Sequence, residues 1–140
     1  MKKVKYGKLV EFVHMLIEQS CCGNQALNFI DATCGNGFDT LFLCRAAGEN
    51  GHVLAFDIQE AIERTKMLLK SNLNFVNYEA IKDSHEFISK YLTSGSGIDA
   101  VIFNLGYLPF SDKAVSTKGD VTVKSVQNLL PFLNPDGRIY

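Results

Sequence analysis

The feature that most constrains this chain is an apolar run that ends in an acid and is followed by two closely spaced glycines. Residues 29–40 read FIDATCGNGFDT, with Asp31 at the end of the run and Gly35 and Gly37 in the loop. A buried strand, a tight turn and a helix start form the pattern by which open α/β sheets hold nucleotide-like ligands. Glycine allows a backbone conformation and a close approach that a side chain would block. The segment therefore predicts a strand–loop–helix unit with a candidate ligand site in its loop.

This loop differs from the fingerprint of dinucleotide-binding proteins. Phe38, Asp39 and Thr40 occupy the positions where the third glycine of that fingerprint would fall. A dinucleotide places its pyrophosphate on the helix N-terminus, whereas the acids Asp31 and Asp39 suit a ligand with cationic groups. S-adenosylmethionine, which carries a sulfonium and an ammonium, is such a ligand. The motif alone is short, and an ordinary strand-to-helix turn is the open alternative.

A second acid favours the cofactor interpretation. Residues 52–57, HVLAFD, predict a short buried strand that ends in Asp57. An acid about 20 residues beyond a glycine loop can accept hydrogen bonds from the ribose hydroxyls of an adenosine cofactor. Asp57 can also cap the next helix, and the two roles are compatible. The predicted cofactor contacts in these two segments are Asp31, Thr33, Cys34, Gly35, Asn36, Gly37, Asp39, Thr40, Asp57, Ile58 and Gln59.

Composition excludes several classes of protein. The 140 residues are 46% hydrophobic, which predicts one folded domain, and no apolar run is long enough to span a membrane. A net charge of −1 argues against nucleic-acid binding by bulk electrostatics, although a local basic patch stays open. The four cysteines match neither a disulfide framework nor a zinc site, so we expect reduced thiols, a cytoplasmic location and no bound metal.

Apolar periodicity predicts strands and helices in alternation. The predicted strands are residues 26–30, 53–57, 73–78 and 98–103, with a fifth starting at 138 after a turn at 134–137. The predicted helices are residues 6–19, a stretch from Gly37 to Gly48, and 60–71, 83–92 and 119–130. This alternation indicates a doubly wound, mostly parallel α/β sheet of the Rossmann-like type. Because the sequence stops where the fifth strand has begun, we expect residues 1–140 to be one domain without its C-terminal strands.

The chemical part of the site is predicted at the end of the strand 98–103. There Asn104, Leu105, Gly106 and Tyr107 resemble the Asn-Pro-Pro-Tyr motif of methyltransferases that act on exocyclic amines. The amide oxygen of Asn104 and the carbonyl of Leu105 can accept the amine hydrogens, and Tyr107 can stack on a flipped-out base. A simple turn after the strand, with Tyr107 packing inward, is the alternative.

Further candidates follow the third predicted strand. Asp83 and Ser84 can hold the amino group of an adenine, and His85 can do so or serve in catalysis. His85 is equally well explained as a residue that starts a helix. Because an aliphatic amine must lose a proton before it can attack a methyl group, His85 and Asp112 are the candidate proton acceptors. His14, on the first predicted helix, is predicted to be a partly buried structural residue, with a place in the site as the alternative.

Taken in order, these motifs resemble the YtqB-type rRNA methylase family. The motifs are DATCGNG at 31–37, FDIQ at 56–59, His85, and FNLGYLP at 103–109 with Asp112, within a match from about residue 14 to Tyr140. The resemblance implies a class I S-adenosylmethionine-dependent fold. For the MnmM-like members it implies methylation of the 5-aminomethyl group of the tRNA wobble uridine, with tRNA or another RNA as partner.

The same resemblance leaves several points open. Phe38 stands where the family usually has histidine, and the family's C-terminal Gly-His-x-Gly-Gly segment is absent from this sequence. A small-molecule or rRNA methyltransferase with the same cofactor site is the main alternative. A dinucleotide-binding oxidoreductase is the weaker one, and a fragment without activity is the third. A homodimer stays open.

Overall fold

The short apolar runs of the sequence form the strands of one parallel sheet. The computed structural model describes residues 7–23, 26–105 and 119–140. Its strands are β1 (Asn28–Asp31), β2 (His52–Asp57), β3 (Tyr78–Lys82), β4 (Ile98–Ile102) and β5 (Leu133–Ile139). They lie in the order β3-β2-β1-β4-β5. The chain therefore crosses from the edge strand β3 back to β4 beside β1, and the crevice at such a reversal is where open α/β sheets bind ligands.

Helices cover both faces of this sheet. They are α1 (Lys8–Ser20), α2 (Phe38–Ala47), α3 (Ala61–Asn72) and α4 (Gly119–Leu129), with 3-10 helices at His85–Tyr91 and Leu130–Phe132. None of the helices in the described part of the chain is long and apolar enough to cross a membrane.

Successive strand residues point to opposite faces and so supply two separate cores. Phe29 and Val53 pack on one face with residues of α1, α2 and α3. Ile30 and Leu54, their chain neighbours, pack on the other face with residues of the first 3-10 helix and α4. Each large side chain buried in this way contributes about 1.5–3 kcal/mol. The predicted doubly wound α/β class is confirmed.

The predicted third strand is wrong in position. The apolar residues within 73–76 predict a strand over 73–78, but β3 starts at Tyr78. Leu73 instead ends α3, and Val76 is 81% exposed. β3 is the edge strand, with partial burial along its length, so its own apolar signal is weak.

Two other elements differ in detail from their predictions. Residues 83–92 were expected to form a helix, and they form the 3-10 helix His85–Tyr91. β5 begins at Leu133, and the predicted turn at 134–137 lies within it as an irregularity, since pairing moves from Ile98↔Leu133 to Ala100↔Arg138. A Cβ on Gly137 would lie 2.5 Å from the carbonyl oxygen of Ile98. The glycine is therefore needed for close backbone approach rather than for a free-standing turn.

Candidate active site

The glycine loop after β1 is hydrogen-bonded to both neighbouring strands. The amide of Ala32 donates to the Ile102 carbonyl of β4 at 2.9 Å, and the amide of Cys34 donates to the Phe56 carbonyl of β2 at 2.9 Å. Gly37 has φ +86°, and a Cβ there would lie 2.9 Å from Thr65 Oγ1. The loop thus needs glycine for its backbone conformation, as the sequence predicted, and also for its packing on α3, which the sequence did not predict.

Asp57 at the end of β2 is brought against this loop. Its Oδ2 accepts a hydrogen bond from the Gly35 amide at 2.8 Å, and its Oδ1 accepts one from the Gln59 amide at 2.9 Å. The carboxylate is partly exposed, and each of its oxygens has a further lone pair for another donor. Ile58 beside it is 63% exposed. An acceptor pair next to an exposed apolar side chain fits a ribose with an attached flat ring.

Asp31 holds the loop from the inside. It is 0% exposed, and its two oxygens accept hydrogen bonds from Thr40 Oγ1 at 2.7 Å and from the Thr33 amide at 3.1 Å. Burial raises the pKa of the Asp31 carboxyl to about 7, and the nearby Asp39 and Asp57 add to the rise. Asp31 is therefore an internal brace that is only partly ionised at neutral pH.

Asp39, in the first turn of α2, joins three elements of the structure. Its Oδ1 accepts a hydrogen bond from His14 Nε2 of α1 at 2.7 Å, and its Oδ2 accepts one from Asn104 Nδ2 at 3.0 Å. Burial alone would raise the pKa of Asp39, but the hydrogen bonds from His14 and Asn104 lower it below its ordinary value. Asp39 is thus an ionised acceptor at neutral pH.

The predicted acceptor segment reaches the same loop. The backbone amide of Asn104, after β4, donates to Thr33 Oγ1 at 2.7 Å. Asn104 is exposed, and the next residue, Leu105, is 47% exposed. The structure therefore brings the start of the amine-type motif beside the glycine loop. The other candidates of this segment, Gly106, Tyr107 and Asp112, lie outside the described residues.

The remaining loop residues differ in exposure. Asn36 is exposed, while Cys34 is buried as a free thiol. Burial raises the pKa of Cys34 to about 12, with the charge of Asp31 adding to the effect. A thiol that stays protonated is a packing residue rather than a nucleophile.

Asp83 and Ser84 lie where β3 ends, one strand away from Asp57. Lys82, the last residue of β3, pairs with Asp57. Asp83 accepts a hydrogen bond from the Tyr91 hydroxyl at 2.8 Å, and this bond lowers its pKa. The Ser84 hydroxyl caps the 3-10 helix by accepting from the Glu86 amide at 3.2 Å. Both residues therefore lie at the same edge of the sheet as Asp57.

The side chain of His85 faces the interior of the protein. It is 9% exposed, and its ring meets Phe103 edge-on with 5.5 Å between the ring centroids. Burial lowers the pKa of His85, so its imidazole is neutral at pH 7. Its Nε2 is buried, and none of the described residues forms a hydrogen bond with it. The structure thus places His85 as a packed, neutral residue behind the end of β4.

His14 is the residue whose place the sequence predicted least well. It is buried, as expected of a structural residue, but it bonds to the loop acid Asp39 and stacks on Phe42 at 3.7 Å between ring centroids. The signal in the sequence was a lone histidine on an amphipathic helix. Nothing in that pattern indicates which acid of a distant loop it meets.

Comparison with known proteins identifies the family. The family model described as "Putative rRNA methylase" matches residues 53–140. The chain belongs to this rRNA methylase family. A curated relative, the "tRNA (mnm(5)s(2)U34)-methyltransferase, chloroplastic" of Arabidopsis thaliana, is 34% identical over 141 residues, which cover 94% of this chain and 51% of the relative. The chain thus spans about half the length of that relative.

Solved structures of rRNA methylase type share the fold. A crystal structure named as a "putative rRNA-methylase" from Clostridium thermocellum has a TM-score of 0.82 at 36% identity, over 97% of this chain and 72% of that one. A "putative methyltransferase" from Streptococcus mutans in complex with SAH (S-adenosylhomocysteine) has a TM-score of 0.78 at 38% identity, over 96% of this chain and 72% of that one. The predicted YtqB-type family and Rossmann-like methyltransferase fold are confirmed.

Proposed function

We propose that this rRNA methylase family member is an S-adenosylmethionine-dependent methyltransferase that acts on an RNA amine. The specific acceptor that we propose is the 5-aminomethyl group of the wobble uridine in tRNA. The observation that carries the proposal is the hydrogen bond from the backbone amide of Asn104 to Thr33 Oγ1 at 2.7 Å. This bond joins the segment that resembles the amine-methyltransferase motif to the glycine loop. The name of the Arabidopsis relative and the SAH bound to the Streptococcus protein support the same reaction.

The cofactor half of the site fits an adenosyl group. We propose that Asp57 accepts hydrogen bonds from the ribose hydroxyls, since its Oδ2 lies at the glycine loop, its Oδ1 lies at Gln59, and the side chain is partly exposed. The exposed side chain of Ile58 would cover the adenine ring, and Asp83 with Ser84 would meet its amino edge. The glycine loop, at Gly35 to Gly37, would line the methionine part.

The reaction needs alignment more than it needs covalent chemistry by the protein. S-adenosylmethionine supplies a methyl group on a sulfonium; the new N–C bond forms with the amine lone pair as the S–C bond breaks, and its electron pair stays on sulfur. Asn104 Oδ1 and the Leu105 carbonyl would accept the amine hydrogens and so direct the nitrogen lone pair. Holding two reactants in line can contribute as much as ~7–11 kcal/mol.

The substrate amine must lose a proton before the methyl group is transferred, since an aliphatic amine is largely protonated at pH 7. His85 and Asp112 are the proposed acceptors of that proton. The neutral state of His85 supports this role, although its Nε2 lies in the interior and would have to become accessible. Gly106 and Tyr107 are proposed to shape the acceptor side, with Tyr107 stacking on the base. A cytoplasmic location and a homodimer also stay predictions.

Methyl transfer from radiolabelled S-adenosylmethionine tests the proposal directly. With a version of the protein that carries the family's Gly-His-x-Gly-Gly segment, we expect incorporation into tRNA that carries 5-aminomethyluridine, and none into the same tRNA without the aminomethyl group. An rRNA transcript and the free aminomethyl nucleoside are the two informative alternatives. Transfer to either of them, with none to the modified tRNA, would contradict the proposed acceptor and leave methyltransferase activity standing. The oxidoreductase alternative has no support among the relatives described above.

A further inference from the structure

We propose that Asp39 is a positioning residue that sets which side of the Asn104 carboxamide faces the acceptor amine. This inference rests on the proposed function and adds a role that the sequence did not predict, since Asp39 was expected to contact the cofactor. The observation is a chain of hydrogen bonds from His14 through Asp39 to Asn104, with donor–acceptor distances of 2.7 Å and 3.0 Å.

The chemistry of His14, Asp39 and Asn104 decides which group donates and which accepts in each hydrogen bond. An ionised carboxylate can only accept hydrogen bonds, so Asn104 must present its NH₂ group to Asp39. The Asn104 Oδ1 then lies on the opposite side of the amide, and no hydrogen bond from the described residues occupies it. A rotated amide would set Oδ1 against the carboxylate and offer a donor to the substrate amine. Only the observed orientation gives the amine an acceptor.

Both ends of this series of hydrogen bonds are held in place. The backbone amide of Asn104 donates to Thr33 Oγ1 at 2.7 Å, which holds the Asn104 backbone beside the glycine loop. At the other end, His14 is stacked on Phe42 with an angle of 3° between the ring planes. Asp39 therefore cannot turn toward a ligand without giving up one of its two short bonds.

Asn104 and Asp39 also supply the polar side chains of a cleft. The other walls of this cleft are apolar, from Leu9 and Val13 of α1 to Phe103 and Tyr140. A single directed acceptor in such surroundings is suited to orient an uncharged amine carried by a ring.

A double-mutant cycle tests whether Asp39 acts through Asn104. The variants are Asp39→Asn, Asn104→Ala and the combination, and the readouts are kcat on the modified tRNA and the Kd for S-adenosylhomocysteine. Asp39→Asn keeps the size but no longer dictates the amide orientation, so we expect kcat to fall by about 10- to 100-fold. We expect KM and Kd to change by less than about twofold, and the double variant to match Asn104→Ala. Asp136→Asn, at an exposed acid in β5, is the matched control.

Two results would overturn the proposal. One is an additive loss in the double variant, which would show that Asp39 does not act through Asn104. The other is a Kd that rises in parallel with the loss of kcat, as expected if Asp39 binds the cofactor.

A measurement without activity separates this inference from the proposed function. In a ¹⁵N–¹H spectrum, the side-chain amide signals that vanish in Asn104→Ala belong to Asn104. We expect Asp39→Asn to shift or merge these two signals, and unchanged signals would overturn the positioning role. If the signals respond as expected but the wild-type protein methylates none of the RNAs, the proposed function is the part that fails, and the orienting contact stands without it.

Discussion

The carboxylate of Asp57 accepts a hydrogen bond from the backbone amide of Gly35 at 2.8 Å and so ties the end of β2 to the loop after β1. The partner oxygen of the same carboxylate holds the Gln59 amide at 2.9 Å. One side chain therefore orders the glycine loop and supplies the proposed acceptors for ribose. Loss of Asp57 should accordingly affect ligand binding and loop order together.

Replacement of Asp57 by alanine should weaken binding of S-adenosylhomocysteine. It removes the proposed acceptors for the ribose hydroxyls, at an expected cost of about 1–3 kcal/mol. Isothermal titration calorimetry measures this loss of affinity. The affinity of Asp57→Asn, which keeps one acceptor, should lie between those of wild type and Asp57→Ala. Unchanged affinity in Asp57→Ala would contradict the ribose assignment.

Replacement of Gly37 by alanine should destabilise the fold more than the same change at Gly95. Both glycines have positive φ, +86° and +93°, so both variants carry a similar backbone strain of about 1–3 kcal/mol. At Gly37 the new methyl meets Thr65 Oγ1 at 2.9 Å, whereas at Gly95 no atom of the described residues beyond its chain neighbours lies within 4 Å of it. Urea unfolding of the two variants compares them, and equal losses would show that Thr65 moves aside freely.

Replacement of Asp31 by asparagine should change how stability depends on pH. The folded-state pKa of Asp31 is about 7, above the ordinary value of 3.8, so unfolding releases a proton between these values and the free energy of unfolding falls as pH rises. The full loss, present above pH 7, is on the order of 4 kcal/mol. Asparagine can still accept from the Thr33 amide and can donate to Thr40, and it does not ionise.

The measurement for Asp31 is urea unfolding of wild type and Asp31→Asn at several pH values from 4 to 8. We expect the variant to gain stability relative to wild type as pH rises. The difference between the two proteins removes the contribution of other groups, such as His85, whose lowered pKa acts in the opposite direction. A difference that does not vary with pH would show that Asp31 is ionised throughout.

Replacement of Asn77 by alanine should cost more stability than the same change at Asn72. Asn77 is buried, and its Nδ2 donates to the carbonyls of Cys44 and Gly48 at 2.8 Å each, where α2 ends. Each of these carbonyls keeps one backbone donor, the Gly48 amide at 3.2 Å and the Gly51 amide at 3.1 Å, so the loss of the two side-chain hydrogen bonds should cost about 1–3 kcal/mol together. Asn72 donates to one carbonyl, that of Leu68, and its loss should cost about 1 kcal/mol or less. Thermal unfolding of both variants checks the order.

The sequence predicted the order and type of most elements because their causes are local. The acid at the end of β1, the two glycines and the acid at the end of β2 lie in short segments whose periodicity and turn chemistry identify them. β3 was misplaced because an edge strand needs little apolar surface, while the exposed Val76 nearby carries more apolar signal than the strand itself.

The contacts between distant segments could not be predicted in the same way. His14 and Asp39 are 25 positions apart, and their 2.7 Å hydrogen bond depends on how α1 packs against α2. The Asp39–Asn104 bond spans 65 positions and depends on the pairing of β1 with β4. Residue type told us which side chains carry chemistry, but the partner of each is decided by packing.

The glycine loop has a thermodynamic consequence that follows from its two neighbours. Thr33 lies in the loop and Asp39 directly after it, and both hold Asn104, while Gly35 in the same loop is held by Asp57. Occupancy on the ribose side and orientation on the amine side are therefore linked through one short stretch of backbone. If one ligand raises the affinity for the other by some factor, the second ligand must raise the affinity for the first by the same factor. We expect S-adenosylhomocysteine and the modified tRNA to bind with heterotropic cooperativity that disappears in Asp39→Asn.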